Sequence, residues 1–449
     1  FGLYVATMPP TLAPYRDAGE MGVSTYSLGI SHPPGYPVYV LAGHAAGLLP
    51  LGTHAWRLNV FSALCGAGAL AFLFLLLEAG AGMLGALACV LVLAFNSTFW
   101  NICGVQEMYS LTLLFAVLLL GLALRLRGGF SPRTWLCFCL AYGLFLGNRT
   151  DLLLWAPGLL WLSLSRGPLS RGSWPREHPW RWVLLSCAFG LLGLCVYLYL
   201  PFRSMRGPWL DWNHPATLDN FIGSLTRRGY GGTLDLLSRR YASGTMFLPN
   251  LEVYGRHLWE NFGLPGLALA AAGLWSGWRR DRSRLAGEGL LFLACGPVFL
   301  YLANMPPNPH ALAIVEPHYL LPDLVLALWA GAGAASLAGA RPAAAPFAVL
   351  LLALQPWFLG RWARMDRRWN LMDLDYVGNV LRSAPPGAAV IAKKDVQLFS
   401  LWHFLRVEGL RPDLRVAAQG LSHSPWYQAS HAREGSRLRL GELQDAEGF

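Results

Sequence analysis

The chain has 449 residues, 54% of them hydrophobic and 13% charged, with a formal net charge of +10. A mean hydropathy of +0.39 and runs such as "GALAFLFLLLEAGAGMLGALACVLVLAF" exclude a string of soluble domains and point to an all-α polytopic membrane protein. The positive charge is topological, because Arg gathers in the loops between apolar segments, and no nucleic-acid partner is expected.

In chain order, residues 1–8 read as the tail of a helix whose beginning is missing, and no signal peptide is seen. A first loop follows, carrying "RDAGE" (16–20) and "HPPGYP" (32–37). A helix is predicted over 16–28, and 35–50 reads as an interfacial or re-entrant helix. Spans are predicted near 57–78, 80–98, 105–126, 134–148, 150–165, 182–202, 258–277, 288–304, 318–339 and 343–360, which with the clipped first helix makes eleven. The connections "RLRGGFSPR", "RGPLSRGSWPREHPWR", "RRDRSR" and "GARP" hold twelve Arg and alternate correctly as cytoplasmic loops. The opposite face then holds 9–56, 96–104, 203–257, 305–317 and everything after 361. There, a helix at about 369–383 precedes a strand–helix–strand pattern in "AAVIAK", "DVQLFSLWHFLRVEG" and "DLRVAA". The chain therefore divides into a transmembrane domain, 1–361, and an incomplete small α/β domain on the outer face, 362–449. The eight cysteines sit in or beside apolar segments, show no metal-ligand spacing and imply no disulfide framework.

Asp17 and Glu20 lie three residues apart, on one side of the predicted helix, at the outer surface. A carboxylate so placed can act as general base toward a hydroxyl; a solvated helix start and a two-carboxylate metal site are the alternatives. Gly19 leaves room for a ligand to approach. In His32-Pro33-Pro34-Gly35-Tyr36-Pro37 three prolines and a glycine fix the backbone, either as a plain corner or to present His32 and Tyr36.

These stretches carry a family resemblance. "RDAGE…LGISHPPGYPVYVLAG" resembles the first outer loop of glycosyltransferase family 117, polytopic enzymes that include the eukaryotic transmembrane O-mannosyltransferases acting on IPT domains. "VQEMYSL" (105–111), "GLFLGNRTD" (143–151), "YLPFRSMRGPWLDWNHPATLDNFIGSLTRRGYGG" (199–232), "VEPHYLLP" (315–322) and the tail resemble further segments of that family, in the right order. The resemblance implies a GT-C fold and transfer of a sugar, with mannose first, from a polyprenyl-phosphate carrier to a hydroxyl acceptor on an exported protein or glycan. It places the reaction at the outer face, and for a bacterial chain in the inner membrane facing the periplasm. By that mapping Asp17 is the catalytic base and Glu20 supports it or binds sugar.

A hydroxyl attacking the anomeric carbon with phosphate leaving in line inverts the configuration and needs one base and positive charge, with no acid, cofactor or metal. Arg203 is the first choice for gripping the phosphate, with Arg149, Arg227 and Arg228 next; contact with membrane lipid headgroups is the plain reading of each. Glu107 is an acid at a helix start. Tyr230, Trp209 and Trp212 can stack on a sugar, and His318, beside His310 in an outer loop, is a further substrate contact. "KKD" at 393–395 reads as a solvated loop. A transporter or flippase of lipid-linked sugars is the competing class, but it wants charge near the bilayer midplane, where these spans are nearly free of it.

Overall fold

The computed structural model describes residues 1–165, 178–230, 241–436 and 438–443. Among them, five helical stretches are long and apolar enough to cross a membrane: His54–Ala94, Tyr109–Gly128, Pro179–Ser204, Arg282–Ala303 and Pro309–Ala340. Three shorter apolar helices accompany them: Pro132–Leu146, Thr150–Leu164 and Ala344–Phe358. The helical membrane architecture is as the sequence predicts, but the count of eleven spans is not confirmed. The segments 57–78 and 80–98 fall in His54–Ala94, two helices joined across a kink at Gly82. Pro132–Leu146 has 15 residues, about 22 Å of helix against the ~30 Å of a bilayer core. The predicted span 258–277 lies in Phe247–Arg280, which is broken at Gly263 and contains Pro265.

Pro265 has no N–H to give to the Asn261 carbonyl four residues back. Arg361 donates to that carbonyl at 3.0 Å and also to Phe95 O at 2.6 Å. A buried guanidinium thus closes the break and ties three segments together. The arginine-rich stretch 166–177, read as a cytoplasmic loop, lies outside the described residues.

One hydrophobic cluster fills the helical bundle. A second lies beyond its end and joins the first loop (Leu12, Ala18, Val23, Ile30), Leu200–Trp212 and the C-terminal segment (Phe399, Trp402, Trp426). That segment is the predicted strand–helix–strand: Ala389–Ala392 and Arg415–Ala418 pair in parallel, Ala389 opposite Arg415, across the helix Asp395–Arg406. A parallel pair needs such a crossover. The helix Met372–Ser383 precedes it as expected.

The predicted helix at 16–28 is Ala18–Ser27, and the interfacial helix is Pro37–Gly47. Gly19 does not make room for a ligand: a Cβ there would lie 2.2 Å from the Phe399 carbonyl oxygen. Its bareness lets helix Asp395–Arg406 close over the first loop.

Within the bundle, Phe247–Arg280 and Leu320–Ala340 approach through facing glycines. A Cβ on Gly273 would lie 1.8 Å from Trp329 O, and one on Gly333 1.9 Å from Leu269 O. Small residues permit such backbone contact between membrane helices. Gly273→Leu is therefore expected to lower the melting temperature of the purified protein sharply, beyond the ~1–3 kcal/mol of ordinary overpacking. Gly289→Leu, on a helix with open space around that position, serves as the control and is expected to leave melting unchanged.

Candidate active site

Asp17 stands at the start of helix Ala18–Ser27 with no capping bond from its side chain. Its backbone N–H instead donates to Glu107 Oε1 at 3.1 Å. One turn on, Glu20 is 0% exposed. It receives the His32 backbone N–H at 2.6 Å on Oε1 and bonds His32 Nδ1 at 2.7 Å through Oε2. His32 Nε2 lies 2.9 Å from the Tyr36 hydroxyl and 4.0 Å from Asp17 Oδ2. The spacing of three does put both carboxylates on one side, but with different partners. Glu20 is sealed behind His32, whereas Asp17 faces a cavity of about 310 Å³.

Asp17, His32, Tyr36, Arg149, Arg227 and His318 line that cavity, together with Arg16, Tyr109, Trp212, Phe299, Asp395, Phe399, Gly420 and Leu421. Arg149 is fixed on several sides. Its Nε reaches both oxygens of Asp151 at 2.9 and 3.0 Å, its Nη2 lies 2.8 Å from His318 Nε2, and its guanidinium sits 4.3 Å over the Tyr109 ring. His318 Nδ1 bonds Ile314 O at 3.0 Å, so Nε2 is the acceptor that Arg149 needs. His318 therefore positions the arginine. Trp212 packs on His32, Phe399 and Trp426.

The remaining predicted residues whose side chains are described do not line the cavity. Arg203 is not on the cavity: its Nε and Nη2 donate to Leu28 O at 2.6 Å and Ser27 O at 2.8 Å. It caps the C-terminal carbonyls of helix Ala18–Ser27, where a cation is favoured. Arg228 is exposed and pairs with Asp219 at 3.0 Å. Glu107 sits behind Asp17, with its Oε2 buried and unbonded among the described residues. Trp209 packs on Trp402 and bonds Glu434, and His310 is exposed. The Tyr230 side chain, and Gly231 and Gly232 of the same motif, lie outside the described residues.

Arg16, Tyr109 and Asp151 fall inside the motifs above, one or two residues from predicted site residues, yet the sequence alone assigns them no role. Asp395, read as part of a solvated loop, borders the cavity. Only the fold brings it beside Asp17.

Burial raises the Glu107 carboxyl well above its ordinary value, and the Asp17 charge adds to this against Arg16 and Arg149. Burial also raises Glu20. It opposes charge on His32, but Glu20 and Asp17 outweigh it and hold the imidazole above its ordinary value. Asp17, Glu20 and His32 each offer one ligand atom, all within 4.8 Å of one another. A cation bound by all three must break the Glu20–His32 bond, so these residues fit a metal poorly as they stand.

Residues 17–170 match the family model for the protein O-mannosyl-transferase TMEM260 N-terminal domain. The family resemblance read from the sequence holds. Over 96% of its length the chain is 28% identical to protein O-mannosyl-transferase TMEM260 of Mus musculus, and over 98% it is 22% identical to the protein of that name from Dictyostelium discoideum. It spans only 63% and 58% of those relatives. The structure of ArnT from Cupriavidus metallidurans bound to undecaprenyl phosphate superposes with a TM-score of 0.56 at 14% identity, covering 96% of this chain and 86% of ArnT; its apo form gives the same score at 12%. The fold is that of GT-C proteins. The matched segment contains Asp17, Glu20, His32, Tyr36, Glu107, Tyr109, Arg149 and Asp151, but not Arg227, His318 or Asp395.

Two predictions follow from this geometry. Glu107→Gln keeps an oxygen for the Asp17 N–H, whereas Glu107→Ala leaves that donor buried and unpaired, at about 1–3 kcal/mol. Thermal melting should therefore drop for the alanine variant and recover for the glutamine. The Glu20–His32 contribution is fully present below His32's unfolded pKa of about 6.5 and is lost as pH rises through its raised folded value. The melting-temperature gap between wild type and Glu20→Gln should thus be widest near pH 6 and shrink toward pH 9. A constant gap would show that the pair does not titrate there.

Proposed function

We propose that this multi-pass membrane protein is an inverting glycosyltransferase. It moves a sugar, with mannose the leading choice, from a polyprenyl-phosphate carrier to a hydroxyl of a protein acceptor. The observation that carries the reading is one cavity holding the Asp17 carboxylate together with Arg16, Arg149 and Arg227. Asp17 takes the acceptor proton, and the freed oxygen forms the new bond to the anomeric carbon. The bond from that carbon to the phosphate oxygen breaks, and its electron pair leaves with the phosphate. The arginines hold the growing negative charge, so the leaving group needs no acid. The fixed Arg149 is the strongest of the three for bidentate phosphate contact.

His32 and Tyr36 set the wall beside Asp17. Trp212 and Phe399 give a sugar or acceptor an apolar face. The names of the relatives support a protein acceptor, and the ArnT complex supports a lipid-phosphate donor.

The cavity opens, in this reading, on the non-cytoplasmic face, which in a bacterium is the periplasmic side. The arginine-rich connections at the other helix ends support that orientation. A transporter is less well supported, since the buried acids deeper in the bundle are closed off by their own partners. Asp323 is bonded by Asn96, Tyr254 and His257, and Glu288 by Arg284 and Trp329.

The test is transfer from radiolabelled polyprenyl-phosphate mannose to a Ser/Thr-rich acceptor. Asp17→Asn should lower the rate by about 10²–10⁴-fold, the usual worth of a general base, while donor binding persists. Equal rates would overturn the assignment. Because the arginines supply the positive charge, prior treatment with EDTA is expected to leave the wild-type rate unchanged. A loss restored by a divalent cation would refute metal independence.

A further inference from the structure

A second and larger cavity, about 820 Å³, opens at the opposite end of the bundle. Its apolar wall is built from Phe72, Leu118, Gly121, Leu122, Ala141 and Phe145, on three different helices. Its depth depends on Gly121, where a Cβ would meet the Phe72 ring at 3.0 Å. The mouth carries Arg125, Arg127, Arg284 and Asp281. Tyr109, on the candidate active site, begins the helix whose last turn carries Arg125 and Arg127. Sixteen residues of helix place the mouth at Arg125 about 24 Å from Tyr109, while the groove's apolar wall reaches back as far as Leu118 and Phe145.

The charges at this mouth are unevenly satisfied. Arg127 is paired with Asp281 at 2.6 Å and bonded to Ser165. Arg284 is paired with Glu288 at 2.7 Å, whose other oxygen receives the Trp329 indole N–H. Both acids are thereby occupied. The Arg125 guanidinium, exposed at the rim, makes no hydrogen bond or ion pair among the described residues. A deep apolar groove with an exposed cation at its rim, unpaired among the described residues, matches a lipid whose chain lies in the groove and whose head is an anion.

We propose that this groove binds an anionic phospholipid of the arginine-side leaflet, with one acyl chain against Gly121 and Ala141 and the phosphate on Arg125. The bound lipid fills the gap between the helices His54–Ala94, Tyr109–Gly128 and Pro132–Leu146.

The test is native mass spectrometry of the full chain in detergent, titrated with phosphatidylglycerol, with phosphatidylcholine of the same acyl chains, and with undecaprenyl phosphate. Wild type should bind phosphatidylglycerol more tightly than phosphatidylcholine by about fivefold, the worth of one arginine near an anionic headgroup. Arg125→Gln, at an exposed position, should erase that preference and leave sugar transfer intact. Ala141→Phe should weaken both phospholipids by narrowing the groove. Equal binding of the two phospholipids by wild type, or an undiminished preference in Arg125→Gln, would overturn the proposal. Undecaprenyl phosphate displacing phosphatidylglycerol in an Arg125-dependent way would also overturn it, by making the groove a carrier site.

Discussion

The buried bond between Glu20 and His32 is the interaction on which the wall beside Asp17 depends. A carboxylate with no solvent exposure is costly unless its oxygens are occupied. Glu20 is held by the backbone and the imidazole of His32 together. That double contact locks the His-Pro-Pro-Gly corner onto helix Ala18–Ser27. Once it is locked, His32 stands 4.0 Å from Asp17, and Tyr36 is placed on the far side of the ring. The corner in turn starts the interfacial helix Pro37–Gly47. Without Glu20, the His-Pro-Pro-Gly corner would lose its tie to the helix that begins beside Asp17.

Positive charge is held in place by the same logic. Arg149 is fixed by Asp151, His318 and the Tyr109 ring. Such an arginine cannot collapse onto Asp17, and it is already oriented when an anion arrives. The C-terminal segment completes the enclosure: Phe399 closes on Gly19, while Asp395, Gly420 and Leu421 border the cavity. The α/β segment is thus part of the cavity wall and not merely an appendage.

Much of this is legible in the sequence, for identifiable reasons. The apolar runs report membrane helices because few other arrangements tolerate them. The tail's strand–helix–strand pattern is local and appears as read. Asp17, His32, Tyr36, Arg149, Arg227 and His318 fall in recognisable motifs and converge on one cavity. Arg203 also falls in such a motif, yet its donors are taken by the carbonyls of a helix end, a contact between residues 175 and 176 positions apart in the chain. Asp395 fails in the other direction, since its neighbours are brought to it only by the docking of the C-terminal segment. Glu20 falls in the same motif as Asp17, but its burial behind His32 depends on packing that no local pattern encodes. The boundary between 57–78 and 80–98 has its counterpart in the break at Gly82, whereas the break at Gly263 falls inside the predicted span 258–277, where composition alone does not distinguish it from an intact helix.

The central claim is that Asp17 activates a hydroxyl for a single displacement against an arginine-held phosphate. The most direct measurement is the anomeric configuration of the product, read by NMR from a donor of known configuration. A product of opposite configuration is what a single base and an in-line leaving group require. Retention would mean two displacements or attack on the same face as the departing phosphate, and would contradict the single in-line displacement assigned to Asp17.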